Sequence, residues 1–142
     1  MRILVVVVVA VLAVAVASPA HADDTVAGTY DVKIEETAST CSPKPESFSK
    51  GKVQIAIKKS ALTVKFDAIY QMVGTIDNHN HLDAKTAKLI GTAVGGLSAR
   101  YSVVGHAGGG TIELALTARY IRQDTNKPYC MQMWNVSGEL AK

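Results

Sequence analysis

The densest group of chemistry-bearing side chains is Asp77-Asn78-His79-Asn80-His81-Leu82-Asp83. His79 and His81 stand two apart, so an extended chain turns both imidazoles to one face, where zinc, copper or nickel would be the fitting guest. A third ligand such as His106 would have to arrive from elsewhere in the chain. The plainer reading is a hairpin loop in which Asn and Asp supply the turn geometry and the histidines stay in water. The sequence asks for no cofactor.

Other motifs fail on mechanism. Ser47-Phe48-Ser49-Lys50 and Ser49-Lys50-Gly51-Lys52 both match Ser-x-x-Lys, but the partner motifs of serine acyl enzymes are missing. Gly108-Gly109-Gly110-Thr111 lacks the Lys-Ser/Thr ending and the helix that a phosphate loop needs, and reads as a flexible hairpin. No Gly-x-Ser-x-Gly elbow occurs, and no carboxylate pair stands out for acid–base work. Nothing here argues for an enzyme. Tyr70, Tyr101, Tyr120 and Trp134 are candidates to line a ligand pocket, or else belong to the core and rim. Asn135-Val136-Ser137 matches a glycosylation sequon but falls inside an expected strand.

Residues 1–22 have the three parts of a cleavable signal peptide: Arg2, an apolar run from Ile3 to Ala17, and Ala20-His21-Ala22 after Ser18-Pro19. The run is shorter than the roughly 20 apolar residues that span a bilayer. The expected mature chain, residues 23–142, is one domain, secreted or periplasmic, with no stable membrane span. Dropping Arg2 from 15 basic residues leaves 14 against 12 acidic, a net charge near +2. These charges are spread along the chain, so nucleic acid is excluded as a partner on the ground that it needs a concentrated basic face. Cys41 and Cys130 are an even pair in an exported chain, which favours a disulfide over free thiols or a metal site.

Strict alternation supplies the architecture. Tyr30, Val32 and Ile34 alternate with Asp31, Lys33 and Glu35; Leu62, Val64 and Phe66 with Thr63, Lys65 and Asp67; Ile112, Leu114, Leu116 and Ala118 with Glu113, Thr117 and Arg119. Each strand therefore has a dry and a wet face, which suits antiparallel pairing. Eight strands are predicted, near 26–36, 51–58, 61–67, 69–77, 80–91, 98–106, 111–122 and 130–139. Short connections make neighbours pair in sequence order. The expected fold is all-β, an antiparallel eight-stranded up-and-down meander barrel, with a β-sandwich as the alternative. Closure puts the end of the first strand and the start of the last at one rim, where Cys41 and Cys130 fall. Gly74, Ala84, Gly105, Ala118 and Gly138 share the apolar face; they either leave a void for a ligand or fit the taper of the barrel.

In strand layout the chain resembles the calycin group, the lipocalin and avidin-like barrels. Gly28-Thr29-Tyr30 stands where lipocalins have Gly-x-Trp, and Arg119 and Arg122 where they place an arginine over that Trp. The chain departs from that pattern in having Tyr, with its one Trp, Trp134, on the last strand. It is equally similar to periplasmic barrel-type protease inhibitors with a single disulfide. The first resemblance implies a ligand held in a barrel mouth.

Three functions compete. The first is an exported soluble barrel binding a small, mostly apolar molecule. The second is a loop-mediated interaction or inhibitor protein, engaging an envelope or extracellular protein through the Pro-rich segment around Cys41. The third is an outer-membrane barrel, which the charged strand faces and the scarcity of aromatics disfavour.

Overall fold

The structure, a computed structural model, describes residues 26–69 and 71–142. The expected signal peptide and Tyr70 lie outside the described residues. Among the described residues there are nine strands: β1 (Gly28–Ser39), β2 (Lys50–Lys58), β3 (Ala61–Phe66), β4 (Met72–Ile76), β5 (His81–Lys85), β6 (Ile90–Gly91), β7 (Leu97–Gly108), β8 (Thr111–Arg122) and β9 (Pro128–Leu140). All pairings are antiparallel, and the order is β5-β4-β3-β2-β1-β9-β8-β7-β6. Because β5 also pairs with β7, the sheet closes into a barrel-like ring rather than splitting into a sandwich.

The ninth strand comes from a break in the stretch expected to run from 80 to 91. Lys85 faces Ser102 and Ile90 faces Ala99, so five steps along one chain oppose three along the other. Thr86 keeps the register, its N–H donating to the Tyr101 carbonyl at 2.9 Å. The surplus residues then loop out at 87–89 before β6 rejoins β7. The strand expected at 69–77 is also shorter: residues 67–69 turn, with the Ile69 N–H on the Phe66 carbonyl at 3.2 Å, and β4 begins only at Met72.

Alternation sorts the side chains as expected. On β8, Ile112, Leu114, Leu116, Ala118 and Tyr120 are buried while Glu113 and Arg119 are exposed. Trp134, Tyr30, Tyr120, Leu62, Met72, Leu82, Ile112 and Leu116 fill the interior, fully buried. Removing this apolar area from water is the main force closing the sheet, at about 25 cal/mol per Å².

The inward glycines bring strands together rather than leaving space. A Cβ on Gly74 would stand 1.8 Å from the Asp83 carbonyl oxygen, and one on Gly105 2.2 Å from that of Glu113. Neighbouring backbone occupies the volume a side chain would need, which lets a small ring coil tightly. Ala84 and Ala118 are buried in the same core.

The two rims are built differently. At one, tight turns join β2 to β3, β4 to β5 and β7 to β8. Lys59, Gly109 and Gly110 adopt positive φ in two-residue hairpins, as such turns require, and Asn80 does so at the end of the four-residue turn 77–80. At the other rim lie the longer connections 40–49, 92–96 and 123–127 and the turn 67–69, together with the disulfide.

Candidate functional site

At the long-loop rim, Cys41 and Cys130 form a disulfide with their Cα atoms 5.1 Å apart. The register explains how they meet. β1 and β9 pair Glu36 with Trp134, but Ala38 with Met133 and Ser39 with Gln132, a one-residue bulge between Glu36 and Ala38. Continuing that shifted register sets Cys41 opposite Cys130; without the bulge Cys41 would face Tyr129. The Thr40 N–H on the Met131 carbonyl, 2.9 Å, carries the pairing past the strand end. Glu36 keeps the parity of Tyr30, Val32 and Ile34, and the bulge returns Ser39, the partner of Gln132, to that same face.

Beyond Cys41, the chain folds over the mouth of the ring. Its anchor is Gln132, fully buried on β9. The Gln132 Oε1 accepts from the Tyr120 hydroxyl at 2.7 Å and from the Glu46 N–H at 3.2 Å. Its Nε2 donates to Glu36 Oε2 at 2.8 Å and to the Glu46 carbonyl at 3.1 Å. Two lone pairs and two N–H groups are thus all used, the full capacity of an amide. The Tyr101 hydroxyl donates to Glu46 Oε1 at 3.0 Å. Among the described residues no buried side-chain N or O atom lacks a partner. The Phe48 ring meets Trp134 edge-on with centroids 5.1 Å apart, a favourable aromatic geometry.

The electrostatics follow from this packing. Burial pushes the Tyr101 and Tyr120 hydroxyls up from their ordinary values, and the Glu46 charge adds to it. Both therefore stay protonated and donate hydrogen bonds. The Glu36 carboxyl is held below its usual value, chiefly by its hydrogen bond with Lys44 and then by that with Gln132. Between these anchors Ser42, Pro43 and Lys44 remain exposed.

Tyr101, Tyr120 and Trp134 are brought together under this segment as buried residues, and the segment itself covers them. Sequence reading missed Gln132, Glu36 and Glu46. The available signal was parity: Gln132 shares the inward face with Trp134 and Val136, where a polar group must find partners.

The histidines gather at the opposite rim. His81 pairs across strands with His106, their ring centroids 5.6 Å apart, and His79 is 6.5 Å from His81. All three are exposed. Asp77 builds the turn, its Oδ1 accepting from the His79 N–H at 2.8 Å and the His81 N–H at 3.0 Å. Among the described residues no group of three or more His, Cys, Asp and Glu is arranged to hold a metal ion. Of the residues that carried the calycin resemblance, Tyr30 is buried near the tight-turn rim, and its hydroxyl donates to the Val26 carbonyl at 2.7 Å. Arg122 lies at the other rim, 5.9 Å over the Tyr129 ring, and Arg119 faces outward.

Comparison with known proteins finds no matching family model, no matching curated protein and no matching solved structure.

Proposed function

We propose that this protein is an exported protein-binding module, an interaction or inhibitor protein, whose recognition element is the disulfide-tethered segment 40–49. The observation that carries this reading is the exposed tip Ser42-Pro43-Lys44 between two sets of fixed points. Cys41 is bonded to Cys130 on one side, while Glu46 and Phe48 are seated on Gln132, Tyr101 and Trp134 on the other. A tip held in one shape before binding loses little entropy on docking, where each mobile side chain otherwise costs about 0.5–1.5 kcal/mol. Export follows from the signal-like residues 1–22, and a disulfide suits an oxidising compartment.

The competing reading, a small apolar molecule in the interior, has less room. The space beside Ile34, Phe48, Lys50, Phe66 and Ile69 is about 30 Å³, room for a water molecule or two and well short of the roughly 300 Å³ at which ligand pockets begin. A larger guest would have to lift Phe48 from Trp134 and Glu46 from Tyr101. A lipid-facing wall suits the outer surface poorly, since Lys33, Glu35, Lys52, Lys65, Arg100 and Arg119 are exposed on it.

The test is affinity capture from the host's envelope and culture fluid with the wild-type chain and a variant carrying Gly-Ser-Gly at positions 42–44. The expected result is a partner held by the wild type and lost by the variant, with the disulfide intact in both. A partner retained equally by both sinks the proposal. So does native mass spectrometry showing a small apolar molecule on the host-purified protein and no protein partner.

A further inference from the structure

The outer wall formed by β4, β5, β7 and β8 carries a concavity of about 470 Å³, away from segment 40–49. Its charged lining is all of one sign: Lys85, Arg100 and Arg119, with Thr86, Ser102, Ala87 and Val73 between them. Arg100 and Arg119 are direct cross-strand partners on β7 and β8, and Lys85 is the partner of Ser102, one inward–outward repeat from Arg100. Like charges placed opposite each other weaken a sheet. Among the described residues none of these three cations has an ion pair, whereas Lys33, Lys44, Lys52 and Arg122 each have a carboxylate partner. On β5 the carboxylate that shares the face of Lys85 is Asp83, two residues away, and it does not line the concavity.

An uncompensated arginine pair beside a lysine and a free hydroxyl matches the needs of a tetrahedral oxyanion. Guanidinium groups offer paired N–H donors in a plane, and lysine adds a point charge. We propose that this groove binds a phosphate group, carried either by a soluble molecule or by a lipid headgroup. The site stands apart from segment 40–49 and does not depend on the function proposed for that segment. The repulsion between Arg100 and Arg119 is then relieved when the ligand is bound. This couples ligand occupancy to stability in a direction that a merely structural arginine pair would not give.

The experiment follows the Arg Nε–H and Ser102 amide signals by NMR as inorganic phosphate is added to the full mature chain. A parallel arm sediments the protein with phosphatidylcholine vesicles with and without phosphatidic acid. Saturable shifts at Arg100, Arg119 and Ser102 with inorganic phosphate support the site and assign it a soluble ligand. Sedimentation that needs phosphatidic acid, without those shifts, supports it and assigns the lipid source. In either case Arg100→Gln and Arg119→Gln should each weaken binding about tenfold, the loss of one charge-assisted hydrogen bond. Val104→Thr on the same wall should leave binding unchanged. Without ligand, Arg119→Gln should raise the Tm by relieving the repulsion. The proposal is overturned if neither probe acts, if the arginine variants bind as the wild type does, or if Arg119→Gln lowers the Tm.

Discussion

The two rims of this ring contain the same number of strand ends but solve different problems. At the tight-turn rim the connections are as short as Lys59-Ser60 and Gly109-Gly110, and their conformation is set by local backbone geometry. At the disulfide rim the chain spends more residues, and its conformation is set by contacts distant in sequence, such as Glu46 with Gln132 and Cys41 with Cys130, which are 89 residues apart. Local turns are robust to substitution and have little surface to specialise. Long-range anchoring is more vulnerable, and it can hold an otherwise irregular segment in one shape.

The largest expected effect comes from removing the disulfide. Cys41→Ala with Cys130→Ala should cost about 4 kcal/mol in the chain-entropy picture. Urea unfolding measures this, and hydrogen exchange should show protection lost first in segment 40–49 while amides at the tight turns are unaffected. Equal loss at both rims would erase the distinction. Next comes Gln132→Leu, which strands the Tyr120 hydroxyl and the Glu46 N–H in the interior and should cost about 3 kcal/mol. Phe48→Ala, which removes a half-buried ring from Trp134, should cost about 2 kcal/mol, less than truncation of a fully buried one. At the opposite rim Asp77→Ala removes two hydrogen bonds from an exposed turn and should cost only about 1 kcal/mol.

The smallest effect is a pH dependence present at both ends. Glu36 is held below its ordinary value of 4.5 by Lys44 and Gln132, and Asp77 below 3.8 chiefly by the His81 N–H. A depressed carboxyl stabilises the fold above its ordinary value, and that contribution is lost as pH falls through the lowered one. Glu36→Gln and Asp77→Asn should therefore each lower stability at neutral pH and flatten its acid decline. Urea midpoints between neutral pH and pH 3 compare the two rims directly.

The sequence made the ring legible because its signal is periodic. Ile112 through Tyr120 alternate without a fault, and seven of the eight predicted strands map one to one onto observed ones, while the stretch 80–91 accounts for both β5 and β6. The interruption at 87–89 was invisible because three residues standing opposite the single Arg100 depend on the register of β7, not on the composition of the segment itself. The disulfide was legible from the even cysteine pair in a chain with an export signal, and the expected strand order agreed with it, but its alignment depends on a bulge near Thr37 that no residue type announces. The candidate site was only half readable. Tyr101, Tyr120 and Trp134 could be singled out as large inward residues, whereas Glu46 belongs to an irregular segment whose partners are fixed only in three dimensions. The inward glycines left open whether they made a cavity or a tight wall. The carbonyl oxygens of Asp83 and Glu113 answer in favour of the wall.

The bond between Cys41 and Cys130 turns everything from the proposed recognition tip to the last hairpin into a single covalent circle. A protease that cuts after Lys44, or within any later connection up to the one before β9, would leave two pieces that remain one molecule until a reductant is added. The exposed tip can therefore be nicked by a target without releasing its fragments, and a non-reducing gel would show an unbroken chain where a reducing gel shows two.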